Sequence, residues 1–477
     1  MNPSTGGGPL SSDTERAASP ATDGGAVSAR PGWRRLFSPA GVVGLMVLLI
    51  CVPVPLGGGA FPADALAGVL LVVVGITALR DRLRLSTTTA ALLGATVFAA
   101  SIVALTGTNA AESFEAWARY LQLFALVPLV VVLSIRDRAG AEIVVHSMIL
   151  AGVIQGVVSI VQVATGSGAT FQGSNSRATG TFGGEDVIAA SVIIGMAITV
   201  CVGLAISATG RRRLVYIGTA LALLLPLGLT LSRGSWLSTG FALVIVLMFA
   251  GWRVFVATAV IGAAALVVLV GGFGVGQDQV GERLTSIGEA DSSTNDRMAL
   301  WQTAVDIWID HPVTGVGLKE FPRYRDTYAP LDLSSGSTVG QSGGSGDGLG
   351  QQELLSPHNQ YLLVLSEQGV VGFLPFAALL LVSTMTAARA AWQGPRAARG
   401  LGAAIVGLSF WQLFQFVYGD LGGATSLVTS VVIGLALWFG LEQRAVESAP
   451  SAPSAPSGTS APSGTSAPSA QSSEAAS

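Results

Sequence analysis

Residues 187–207 read VIAASVIIGMAITVCVGLAIS, twenty-one consecutive positions without one charged side chain. At about 1.5 Å of rise per residue, such a run crosses the roughly 30 Å hydrocarbon core of a bilayer. A helix at a water-facing surface would carry a polar stripe along one side, and this one has none, so lipid or protein surrounds it on every side. Comparable runs recur near 39–56, 62–79, 88–106, 117–135, 141–165, 214–231, 236–251, 254–275, 369–387, 400–418 and 423–441. Several contain proline, as at Pro53, Pro55, Pro226 and Pro375, which membrane helices tolerate where neighbours satisfy the freed carbonyls. The reading is an all-α integral membrane protein with about twelve transmembrane helices. Composition agrees: 11% of the 477 residues are charged and half are hydrophobic, against about 25% charged in a soluble domain.

Arginine and lysine set the orientation. With the N-terminus in the cytoplasm, inner segments carry Arg80, Arg82, Arg84, Arg136, Arg138, Arg211 to Arg213, Arg389, Arg396 and Arg399, and in all about 17 of the 25 basic residues. The site-bearing face is therefore expected outside, in a multi-pass protein of the cytoplasmic membrane. A net charge of −3 offers no basic face for nucleic acid, which is excluded as a partner. Cys51 and Cys201 both lie in apolar runs and read as small buried hydrophobes, with neither a disulfide nor a thiolate metal site.

Five segments follow. Residues 1–38 are a disordered cytoplasmic N-terminus, 39–275 hold spans one to nine, and 276–360 form a large extracytoplasmic loop before the tenth span. Residues 361–441 hold spans ten to twelve, and 442–477, repeating PSAPSGTSAP, are a disordered Ser/Pro/Ala-rich tail. The loop is far longer than an ordinary connection. Within it Ser293 or Thr294 caps a predicted helix on which Met298, Trp301, Val305 and Trp308 recur at helical spacing, an amphipathic element suited to the outer leaflet. The stretch 333–351 is Gly- and Ser-rich and reads as mobile chain.

Chemistry is sought among cations at the outer boundary. Arg119 opens span four, Arg177 lies in SRATGTF, and Arg233 lies in LSRGSW between spans seven and eight. Each can snorkel to lipid phosphate, or the three can share an anion site. A guanidinium binds two phosphate oxygens at once and keeps its charge, so a pyrophosphate is the natural guest. Gly234 lets backbone N–H groups approach an anion, and Ser235 is a candidate cap for span eight. Of the three histidines, His358 stands in SPHNQYL just before the chain re-enters the membrane. It either accepts a proton from a sugar hydroxyl or caps the returning helix together with Ser356 and Asn359.

The runs HPVTGVGLKEF (311–321), SPHNQYLLVLSEQGVVGF (356–373) and LSRGSW (231–236), in that spatial context of about a dozen spans, resemble the O-antigen ligase and Wzy-type polymerase family of membrane glycosyltransferases. The resemblance covers roughly residues 115–440. It implies a GT-C-like helical fold and transfer of a glycan from undecaprenyl pyrophosphate to a glycan or other surface acceptor on the outer face, with no cofactor and no metal. On that likeness His358 is the general base and Arg177 and Arg233 hold the pyrophosphate, with Arg119, Ser232, Asn359 and Glu367 completing the substrate-binding set. The chain departs from the family where it reads FGGEDVIAA (182–190) in place of an Asn-Pro-Asn-like element. A transporter or flippase of lipid-linked oligosaccharide is the rival reading, since it too needs a cationic cavity. It needs no base.

Overall fold

The computed structural model describes residues 37–54, 61–171, 175–183, 186, 188–258, 292–329, 356–423 and 425–443. Helices dominate them: α1 (Pro39–Leu49), α2 (Pro62–Arg80), α3 (Thr87–Ala104), α4 (Ala110–Ser134), α5 (Arg138–Thr165), α6 (Ala189–Ser207), α7 (Gly210–Leu229) and α8 (Arg233–Ala250). After these come α9 (Ser292–Asp310), α10 (Phe321–Tyr328), α11 (Gln360–Gln393), α12 (Arg396–Tyr418) and α13 (Ser426–Glu442). Among the described residues nine helices are long and apolar enough to cross a membrane by length and composition, and α1 and α13 are shorter apolar helices. The sequence count of about twelve thus meets nine of full length. Most of the run at 254–275, the Gly/Ser stretch and both termini lie outside the described residues.

Among the nine helices of membrane length α6 is the most enclosed, with α12 beside it, while α2, α7 and α8 keep most of their apolar side chains on the outside. Small residues bring α6 close to its neighbours, as membrane helices require in the absence of a hydrophobic drive between them. A Cβ on Gly203 would lie 2.6 Å from the Ala404 Cα, and one on Gly152 only 2.2 Å from the Ala197 Cβ. Trp411, fully buried, donates its indole N–H to Thr239 Oγ1 at 3.0 Å and ties α12 to α8. At one end of the bundle Glu442 ties α13 to α3. Its carboxylate accepts from Ser86 N–H at 3.1 Å, Ser86 Oγ at 2.7 Å and Thr89 Oγ1 at 2.5 Å, capping α3 from another helix.

Several boundaries differ from the sequence expectation, each for a tertiary reason. The helix carrying Arg119 starts at Ala110, capped by Asn109, so Arg119 lies within α4 instead of opening it. Its first turns, AAESFEAW, are amphipathic and extend the helix ahead of the apolar run. α8 begins at Arg233, with Ser232 in the N-cap position, and Ser235 is inside the helix, bonded at 2.7 Å to Ser191 and at 3.1 Å to Ser232. The tenth run begins at Gln360, not 369, because Gly369 (φ 56°, ψ −161°) only breaks the helix without ending it. One hairpin interrupts the all-α picture: β1 (Ala169–Phe171) pairs antiparallel with β2 (Asn175–Arg177).

Candidate functional site at the end of the bundle

Chain alternation gathers the ends of α5, α7 and α12 and the starts of α6, α8 and α11 at one end of the molecule. The Arg211–Arg213 run, Arg389 and Arg396 fall at the other end, where Ser207 Oγ joins the Arg396 carbonyl at 3.1 Å and the Gly400 N–H at 2.7 Å. His358, Arg177 and Arg233 all belong to the first end.

The imidazole is presented by a strained turn. His358 has φ 50°, a left-handed conformation that costs a non-glycine residue on the order of 1–3 kcal/mol unless its surroundings hold it there. Three contacts do so. The His358 N–H donates to Ser356 Oγ at 3.2 Å, the Pro357 carbonyl accepts the Trp301 indole N–H at 3.0 Å, and Asn359 Oδ1 accepts the Leu362 N–H at 3.1 Å. Asn359 is therefore the cap of α11, and the imidazole is left for other work. Its Nδ1 lies 3.7 Å from Asp420 Oδ1, an ion-pair separation longer than a hydrogen bond. Burial pushes the Asp420 carboxyl up, but the neighbouring His358 ring, the Ser356 hydroxyl and a backbone N–H outweigh it and hold the group below the usual carboxylate range.

Asp420 is fixed from α11 as well: the Gln360 N–H donates to the Gly419 carbonyl at 3.2 Å, and Gln360 Oε1 accepts the Leu421 N–H at 2.8 Å. Arg297, from α9, reaches the Tyr418 carbonyl at 3.3 Å. Neither Asp420 nor Arg297 was singled out from the sequence. The signal was there for Asp420, a lone acid in YGDLGG between two apolar runs at the same boundary as His358.

Arg177 reaches the turn between α7 and α8. Arg177 Nε donates to the Thr230 carbonyl at 2.6 Å, and the Ala178 N–H donates to the Leu229 carbonyl at 3.2 Å, so the end of β2 is clamped to the turn that leads into Arg233. Leu231 in that turn is also left-handed, at φ 52°. Gly234 brings the turn to the acid-bearing loop, for a Cβ there would lie 3.4 Å from the Tyr418 Cβ, two residues before Asp420. Asp186 approaches the same loop from α6. Its Oδ1 accepts the Ala189 N–H at 3.1 Å, and its Oδ2 would be 2.6 Å from a Cβ on Gly423. Burial raises its carboxyl to about 6, against the pull of the Ala189 and Ile188 N–H groups.

Residues 218–377 match the O-antigen ligase family. No curated protein matches the chain. The O-antigen ligase segment runs from within α7 to within α11 and so contains Arg233, Arg297 and His358, while Arg177 and Asp420 lie on either side of it. That match, in a chain rich in membrane-length helices, supports a role in cell-surface polysaccharide assembly.

Within that segment HPVTGVGLKEF is a clip rather than a source of reactive groups. Val316 and Gly317 donate to the Ser366 and Glu367 carbonyls at 3.1 and 2.9 Å, and Val370 and Val371 donate to Pro312 and Val313 at 3.0 Å each. Gly315 (φ 64°), Gly317 (φ 109°) and Gly369 let the two backbones touch. Glu367, expected at the substrate, is buried and accepts the Phe321 N–H at 3.2 Å. Ser232 is likewise occupied with Ser235. Arg119 pairs with Asp64 at 2.5 Å, on α2. The loop helix α9 buries Leu300, Ala304 and Ile307 against Val316 and Phe321, whereas Met298, placed on the leaflet-facing stripe by periodicity, stands exposed.

Proposed function

We propose that this protein transfers a glycan from undecaprenyl pyrophosphate to a surface acceptor on the outer face of the cytoplasmic membrane, as a GT-C-like, metal-independent, inverting enzyme. The observation that carries the reading is the pairing of His358 with Asp420 at the end of the bundle where Arg177 is clamped to the turn that leads into Arg233. A transporter needs the cations but has no use for an imidazole backed by a carboxylate.

In the proposed step the acceptor hydroxyl attacks the anomeric carbon as its proton passes to Nε2 of His358, the nitrogen turned away from Asp420. The bond from that carbon to the carrier's phosphate oxygen breaks, and the electron pair leaves with the pyrophosphate. Arg177 and Arg233 stabilise the departing charge through fixed guanidinium donors. Asp420 stays ionised and stabilises the imidazolium that results, in the manner of the third member of a base-orienting triad. A single displacement inverts the anomeric configuration. Arg119, already neutralised by Asp64, is left out of this step, and Asn359 and Glu367 support the turn and the clip.

Purified protein given lipid-linked oligosaccharide and an acceptor glycan tests the reading. A new glycosidic bond that depends on His358 supports it, while movement of the lipid-linked glycan without bond formation sinks it in favour of a flippase. The glycan profile of a deletion strain then separates the two family activities: shortened chains mean a polymerase, and full-length chains stranded on the carrier mean a ligase.

A further inference from the structure

A second polar cluster lies near the same end of the bundle but on its outside, between α2 and α4. Arg119 Nη1 sits 2.5 Å from Asp64 Oδ1 and 2.9 Å from Gln122 Oε1. Gln122 Nε2 donates to the same Asp64 oxygen at 2.9 Å, and Asp64 Oδ2 takes the Phe61 N–H at 2.9 Å. Beneath the cluster runs a cleft of about 130 Å³, with Asp64 and Gln122 at its mouth and Gly68, Leu71, Leu126 and Val130 along its walls.

Two local features keep the cleft open. A Cβ on Gly68 would meet nothing within 4 Å, so the missing side chain is itself part of the space. Opposite it, the π-helical turn Gln122–Leu126 widens α4 by one residue and re-aims Gln122, the sort of irregularity that recurs at functional positions. From Asp64 to Leu71 the cleft extends about 10 Å along α2, some two-thirds of one leaflet's hydrocarbon depth of roughly 15 Å.

The charges at the mouth select what can enter. The Asp64 side chain is 8% exposed and that of Arg119 33%, so the guanidinium is the group presented. Its Nη1 is held by Asp64 and Gln122, and among the described residues nothing accepts from its Nε or Nη2. A fork of two such donors fits the oxygens of one phosphate. Because the Asp64 carboxylate leaves the pair near neutral, a phosphodiester with one charge is tolerated, whereas the further charges of a pyrophosphate would press against Asp64.

We propose that this cleft binds a glycerophospholipid of the surrounding leaflet, its phosphodiester on Arg119 and one acyl chain between α2 and α4. The site is separate from the donor site proposed at Arg177 and Arg233 and does not depend on it. To test this, the full-length chain is purified in mild detergent, delipidated and titrated with phosphatidylglycerol under native mass spectrometry. One retained lipid is expected on the unaltered protein, with retention about tenfold weaker in Gly68→Leu, which fills the cleft, and in Arg119→Gln, which removes the donors. Equal retention in Gly68→Leu and the unaltered protein overturns the proposal. So does displacement of the bound phospholipid by undecaprenyl pyrophosphate, which would make the cleft part of the donor site. Gly68→Leu leaves the polar cluster intact and decides the question even if Arg119→Gln fails to fold.

Discussion

Two turns at the candidate site hold a left-handed residue that is not glycine, Leu231 ahead of Arg233 and His358 itself. The surrounding bonds from Trp301, Ser356 and Asn359 hold the second against its strain, which fits an imidazole whose direction matters more than its comfort. His358→Ala is expected to lower transfer by on the order of 10²–10⁴-fold, measured as product formation by inserted, folded protein. Asp420→Asn keeps the shape but removes the charge opposite the imidazolium, and about 10²-fold loss in kcat is expected with little change in KM. Retained turnover in either variant removes that residue from the mechanism. Asp186 gives a pH prediction with a definite sign. Its carboxyl is raised from 3.8 to about 6, so the folded protein binds the proton more tightly than the unfolded chain. That stabilisation is complete below the ordinary carboxylate value and fades as pH rises through about 6. The thermal midpoint should therefore fall between those limits, and Asp186→Asn should flatten the decline.

Among the elements, the break in α11 organises the segment most heavily. Gly369 leaves the helix so that residues 366–371 can exchange backbone hydrogen bonds with 312–317, and a Cβ on it would lie 2.4 Å from the Val313 carbonyl carbon. Gly369→Ala combines a disallowed backbone with that collision and is expected to destabilise by about 2–4 kcal/mol, read as a lower thermal midpoint and faster proteolysis at the 312–320 loop. A variant as stable as the parent would mean the clip forms differently. Trp301→Phe removes one hydrogen bond to Pro357 while keeping the ring, and about 1 kcal/mol is expected, with transfer falling because the His358 turn loosens. The HPxxGxG pattern was legible in the sequence, but its role was not. Only the partner strand of backbone at 366–371 shows why two glycines must stand there.

At the scale of the whole molecule, alternation of the helices puts the His358 end opposite the arginine-rich end, and the excess of arginine predicts that the latter faces the cytoplasm. Labelling tests this directly. Gly422→Cys, exposed with open space around its Cβ, should react with a membrane-impermeant maleimide in intact cells, and Thr209→Cys, exposed at the other end, should react only after lysis. The native Cys51 and Cys201 are buried and give little background. The reverse pattern would place the site in the cytoplasm.

Apolar run length and arginine bias are properties of the chain itself, because the bilayer acts on each segment much as it would on an isolated helix. They therefore determined the membrane class and the approximate position of most of the described helices, and they predict the face on which Arg177, Arg233 and His358 fall. Which carboxylate stands behind the imidazole is a contact across 62 residues of chain, His358 to Asp420, and nothing local to SPHNQYL specifies it. Asn359 and Glu367 were nearer in sequence, yet the helix cap and the clip claimed them, since unsatisfied backbone N–H groups compete for every acceptor within reach. Tertiary packing decided those assignments because each polar group has few partners, and only the folded arrangement settles which group takes which.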